Sequence, residues 1–214
     1  MPEFPEISYE LGWRQTIDKN TQDTIVNEVY KISYHINPRI WIGIKMLSTY
    51  ISVSPKELIN IKEKDIDLET GYIFIPHPKE KKAKAVPLIQ EDIKLLKSLP
   101  KGFPELYFFR HPAGIQSCRP GQKFGEKYLY KWWKKACSNL DIKGVDLYGG
   151  TRHSSALALR ELASPEQIKR SMMTSTNKAF ERYFRIETEE IRDIYELTRR
   201  NASGKTMSKK IKTK

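Results

Sequence analysis

Three side chains in this 214-residue sequence have the chemistry to act on one kind of bond. Tyr183 sits in Phe180-Glu181-Arg182-Tyr183-Phe184-Arg185, with Lys178 just upstream. Arg152 sits in Gly149-Gly150-Thr151-Arg152-His153-Ser154. Lys79 sits in the Lys-rich run Pro78-Lys79-Glu80-Lys81-Lys82-Ala83-Lys84. A tyrosine oxygen can attack a phosphodiester, and a guanidinium fork can grip two phosphate oxygens. A lysine can protonate the departing 5′ oxygen. Together these are the parts needed to cut a phosphodiester without a metal, because cations hold the charge that develops on phosphorus. A phenol has an ordinary pKa of about 10, so such a tyrosine needs cations beside it.

Each residue also has a plainer reading. Tyr183 can be a half-buried aromatic on an amphipathic helix, with Phe180 and Phe184 in the core. Arg152 can close a local carboxylate pair at a helix start, for example with Asp146. Lys79 can be one lysine of a solvated hairpin tip, and Lys82 is the second candidate in that run.

The elements that must position these residues follow from periodicity. Residues 21–36 carry Ile25, Val29, Ile32 and Ile36 at helical spacing, and a second helix follows Pro38 with Ile40, Ile44, Leu47 and Ile51. Ser54-Pro55-Lys56-Glu57 is a capping box that opens a short helix through Ile61. Residues 72–76 and 84–89 read as strands joined by the Lys-rich turn, and 65–68 can add a third. Helices are expected over 90–98 and 123–140, the latter with Phe124, Tyr128, Trp132 and Ala136 on one face. Residues 106–109 read as a brief strand or a buried turn. Gly149-Gly150 breaks the chain before a helix that carries Arg152, and Ser164-Pro165-Glu166-Gln167 caps another. Helices over 176–185 and 188–200 complete the set. The expected fold is mainly α with a small antiparallel β-sheet. It occupies one domain at 21–200, between an arm or linker at 1–20 and a basic, disordered tail at 201–214.

Composition narrows the partner. The formal net charge is +12, from 38 Lys+Arg against 26 Asp+Glu, which favours a polyanion and most simply nucleic acid. Cys118 and Cys137 suggest no disulfide framework, which fits a reducing cytoplasm. No apolar run approaches membrane-spanning length, so no membrane partner is expected. The four histidines, His35, His77, His111 and His153, have no metal-site spacing, and there is no phosphate-binding glycine loop. Neither a metal nor a cofactor is expected.

The order lysine, arginine, tyrosine and the sequences around them resemble the catalytic domain of tyrosine recombinases, the phage-integrase family. The resemblance covers about residues 20–200 and rests on four motifs. These are Asp146-Leu147 with the Gly-Gly break before Arg152, Thr176 to Tyr183, Lys79 ahead of Val86-Pro87-Leu88, and Glu57-Leu58 ahead of Asp65-Ile66-Asp67. It implies a DNA breaking-rejoining fold, double-stranded DNA as partner, a homo-oligomer on that DNA, and a mobile-element or phage setting. It implies recombination or integration through a covalent 3′-phosphotyrosyl intermediate, with Tyr183 as nucleophile, Arg152 as phosphate ligand and Lys79 as acid. The same comparison identifies departures. Ser54 stands where the family has its first arginine, Gly149 where it has its first histidine, and Thr174 where it has a second His or Trp. Lys56 and His153 are possible auxiliary groups. The departures imply weak or impaired cleavage, and the alternative is a catalytically inactive DNA-binding protein derived from an integrase.

Overall fold

A computed structural model of the chain describes residues 14–76, 83–112 and 118–173, all within the unit Met1–Ser175. Helix α1 spans Lys19–Ser33, opened by Asp18, whose carboxylate accepts from Thr21 N. That cap starts the helix ahead of the apolar stripe, and Ile36 falls beyond its end on the surface. Helix α2, Pro38–Thr49, has Asn37 as its cap and proline in its first turn, and most of it is buried. The expected capping box at Ser54 is present: Ser54 Oγ accepts from Glu57 N, and Glu57 bonds back to Ser54 N. The helix it opens, α3, ends at Leu58 after a single turn.

A short 3₁₀ turn at Glu63–Asp65 leads into a three-stranded antiparallel sheet. Its strands are β1 (Ile66–Asp67), β2 (Tyr72–Ile75) and β3 (Lys84–Pro87), in that order. The register pairs Ile66 with Ile73, Ile73 with Val86, and Ile75 with Lys84. Ile73, Ile75 and Val86 face the core while Tyr72 and Phe74 face out, the alternation of a half-covered sheet. Lys84 is the exception, a charged side chain on the inner face. Residues 106–109 form a buried turn, with Tyr107 bridged to Lys62 and Phe108 and Phe109 in the core.

Helix α4 covers Gln90–Lys97 and α5 covers Tyr128–Asn139. The face of α5 differs from the expected one. Phe124 is fully buried, but it precedes the helix and donates its N–H to Phe109 O at 2.9 Å. The later start turns Leu129, Trp133, Ala136 and Cys137 inward and leaves Trp132 only half-buried. Then come a wide π turn at Gly149–His153, α6 at Ser154–Ala158, a 3₁₀ turn at Leu159–Glu161, and α7 at Pro165–Ser171 behind its Ser164 capping box. The core gathers α1, α2, α5 and the inner sheet face around Ile25, Ile40, Leu47, Phe109, Leu129 and Trp133. The architecture is the expected one, mainly helical with one small antiparallel sheet.

Candidate functional site

Arg152 does not open an ordinary helix after a break. It sits inside the π turn, and Gly149 and Gly150 are part of that turn. A π turn widens the backbone and loosens the regular carbonyl partners. Neighbours supply replacements. Gln22 of α1 is fully buried, and its amide Nε2 donates to Gly150 O (2.8 Å) and Thr151 O (3.0 Å). Ser154 Oγ donates to Gly149 O at 2.8 Å, and Ser155 Oγ reaches back to Ser48 O of α2 at 2.6 Å. Two elements thus hold the turn itself, α1 through Gln22 and α5 through Trp133 against Gly150, while Ser155 ties α6 behind it to α2. A Cβ at position 150 would collide with the Trp133 ring.

This frame leaves Arg152 only 7% exposed, with its guanidinium carbon 5.7 Å from the centre of the Tyr148 ring. Its buried Nε has no hydrogen-bond partner, and no carboxylate pairs with it among the described residues. The pairing with Asp146 that sequence allows is not made. Asp146 is occupied twice over: Oδ1 accepts from Gly149 N at 2.5 Å, and Oδ2 pairs with Arg14. A buried cation without a counter-ion is costly, so the arrangement suits an anion that arrives from outside.

The other predicted positions fall as follows. Ser54 Oγ is spent inside its own capping box, donating to Glu57 Oε2 at 2.8 Å. Lys56 is exposed and pairs with Glu126 at 3.2 Å. His153 stands edge-on to Tyr148, ring centres 4.9 Å apart. Tyr183, Lys79, Lys82 and Thr174 lie outside the described residues. Next to Ser54 is a buried ion pair that sequence reading missed. Lys84 Nζ meets Glu57 Oε1 at 2.9 Å and Ser52 O at 3.3 Å. Burial opposes ionisation of Glu57, but hydrogen bonds from Lys84 and Ser54 outweigh it and hold the carboxyl below its ordinary range.

Gly149 is closed to any side chain. A Cβ there would lie 2.5 Å from the backbone oxygen of Gln15 and 3.1 Å from Asp146 Oδ1. Segment 14–17 runs across this position, fastened by Ile17 N to Ser154 Oγ (2.9 Å) and by Arg14 to Asp146. Sequence reading placed residues 1–20 in an arm, and nothing in their composition pointed to Arg14 or Gln15. Gln22 carried one weak signal, a polar residue on the buried stripe of α1.

The sequence matches no family model and no curated protein. Solved structures are informative at the level of fold. The chain superposes on XerA recombinase with a TM-score of 0.62 and 17% identity, covering 92% of this chain and 66% of that one. It superposes on the Tn1549 transposon integrase, in complex with transposon right end DNA, with a TM-score of 0.64 and 13% identity, covering 89% and 67%. For XerH recombinase bound to palindromic difH substrate, the values are 0.61 and 19%, covering 88% and 54%. The chain therefore spans from about half to two thirds of the length of these structures.

Proposed function

We propose that this chain, whose fold is that of tyrosine-recombinase catalytic domains, binds double-stranded DNA and breaks and rejoins it through Tyr183. The observation that carries the reading is Arg152, a nearly buried guanidinium whose neighbouring carboxylate is engaged elsewhere. The surface of α5 supports it. Lys131, Lys134 and Lys135 are exposed on a helix without an acidic residue, with Lys134 over Tyr130 and Lys135 over Trp132. Such a face suits a run of phosphates.

In this reaction the Tyr183 hydroxyl gives up its proton to solvent and its oxygen forms a bond to phosphorus as the bond from phosphorus to the 5′ oxygen breaks. Arg152 holds the non-bridging oxygens, where negative charge accumulates. Lys79 gives a proton to the leaving 5′ oxygen. The 3′ phosphate stays joined to tyrosine, so the reverse attack by a 5′ hydroxyl reseals a strand. The setting we infer is a mobile element, with like subunits assembled on DNA in the cytoplasm. Among the described residues no helix is long and apolar enough to cross a membrane, and both cysteines are free.

One observation favours a second reading, DNA binding without cleavage. Gly149 is sealed by Gln15, and Ser54 offers only a hydroxyl already in use. Losing one phosphate-gripping group costs roughly 10²–10³ in rate. A nicked suicide duplex separates the two readings. In EDTA, a denaturing gel is expected to show protein joined to DNA, and Tyr183→Phe is expected to abolish the adduct while leaving duplex binding intact. Binding without any adduct in the unaltered chain would establish the second reading.

A further inference from the structure

Arg14 is a cation near Arg152 that neither the sequence motifs nor the proposed reaction uses. Its guanidinium carbon lies 5.0 Å from the centre of the Tyr148 ring, the ring that Arg152 approaches to 5.7 Å. Both cations are inside the roughly 6 Å reach of a cation–π contact with a single aromatic. They differ in what else they touch. Arg152 is buried and its Nε is unpartnered. Arg14 is about half exposed and is held from one side by Asp146. A guanidinium has five donors, and a pair to one carboxylate oxygen leaves most of them open.

The backbone makes the placement firm. Gln15 O passes 2.5 Å from where a Cβ of residue 149 would lie, so segment 14–17 is packed into the turn and does not merely lie over it. Ile17 N is tied to Ser154 Oγ, and Ser154 Oγ to Gly149 O. The chain that delivers Arg14 is therefore bonded to the same five-residue turn that delivers Arg152. Two guanidinium groups thus approach one ring, one deep and one at the surface. An oxyanion within reach of both would be held by two charge-assisted donors.

We propose that Arg14 is a second phosphate ligand of this site, gripping together with Arg152 one backbone phosphate of bound DNA. The inference rests on the DNA-binding reading, and the two fail differently in one set of measurements. Affinity for a mixed-sequence DNA duplex is measured at low salt for the unaltered chain, Arg14→Ala, Arg14→Gln, Arg152→Ala and the double variant Arg14→Ala/Arg152→Ala. Each single variant is expected to lose on the order of tenfold in affinity, as for a hydrogen bond to a charged group. The double variant is expected to lose less than the product of the single losses, because both side chains serve one phosphate. Arg14→Gln keeps much of the side-chain packing and is expected to bind as weakly as Arg14→Ala. Asp146→Asn frees Arg14 while keeping an acceptor for Gly149 N, and is expected to bind at least as tightly as the unaltered chain. A purely structural Arg14 would instead make Asp146→Asn and Arg14→Ala equally harmful. That outcome overturns the proposal, as does unchanged or tighter binding by Arg14→Ala, which would make segment 14–17 a cover over the site. Losses that multiply cleanly would overturn the shared phosphate. If the unaltered chain does not bind duplex DNA at all, the DNA reading falls and this inference falls with it.

Discussion

At the scale of single residues, the Arg152 turn depends on two positions that do no chemistry. Gln22 donates to two carbonyls of the π turn, and it does so from a fully buried place. Gln22→Ala removes two buried hydrogen bonds and is expected to cost about 1–3 kcal/mol, read by denaturant unfolding. The same variant is expected to weaken duplex binding, since the carbonyls it releases are those of the two residues before Arg152. Gly149 is the second position. Gly149→Ala drives a methyl into the Gln15 carbonyl, and is expected to cost about 1–3 kcal/mol and to lower Tm. Gly149→His, which supplies the side chain the family resemblance asks for, is expected to destabilise further without restoring cleavage. A well-folded Gly149→His protein with more adduct would show that segment 14–17 yields readily.

At the scale of elements, β3 and α3 are joined by a buried charge pair. Lys84 points from the inner face of the sheet to Glu57, which also closes the Ser54 capping box. One carboxylate thus caps a helix and neutralises a strand. Removing one partner takes the direct counter-charge from a buried ion, and Lys84→Met is expected to cost about 3–5 kcal/mol. The pair also sets a pH dependence. Glu57 titrates lower in the folded chain than its ordinary value of 4.5. Its contribution is therefore complete above that value and is lost as pH falls through the depressed folded pKa. Stability is expected to drop on acidification below about pH 4.5, and Glu57→Gln is expected to flatten that limb while lowering stability at neutral pH. Urea unfolding across acid pH measures both.

At the scale of the whole molecule, a net charge of +12 has to be arranged if it is to meet a polyanion. Helix α5 offers one arrangement, an inner face of Leu129, Trp133, Ala136 and Cys137 and an outer face of lysines stacked on aromatics. Each neutralised phosphate contributes about 0.9 to the slope of log affinity against log salt. Replacing Lys131, Lys134 and Lys135 together by glutamine is expected to make that slope shallower by roughly 2 to 3. Fluorescence anisotropy with a labelled duplex at several salt concentrations measures it. An unchanged slope would move the DNA-binding face away from α5.

The local sequence alone determined much of this protein. Capping at Ser54 and Ser164, the first two helices, and the strands on either side of the Lys-rich run are short-range matters of hydrogen-bond satisfaction and side-chain period. The Gly149-Gly150-Thr151-Arg152 run stood out for the same reason, since it is contiguous, but its π-turn geometry did not. Periodicity failed on α5, where a start a few residues later exchanged Trp132 for Trp133 on the buried face. It could not have found what surrounds Arg152. Gln22, Arg14 and Gln15 lie more than a hundred residues away in sequence, and their contacts exist only because α1 packs beside the turn. Asp146 shows the difference most plainly. Its nearness in sequence made it the natural partner of Arg152, yet the fold brought Arg14 to its other oxygen and left Arg152 without a carboxylate partner among the described residues. Which of two cations a carboxylate neutralises is decided by distance in space, and only the tertiary structure sets that distance.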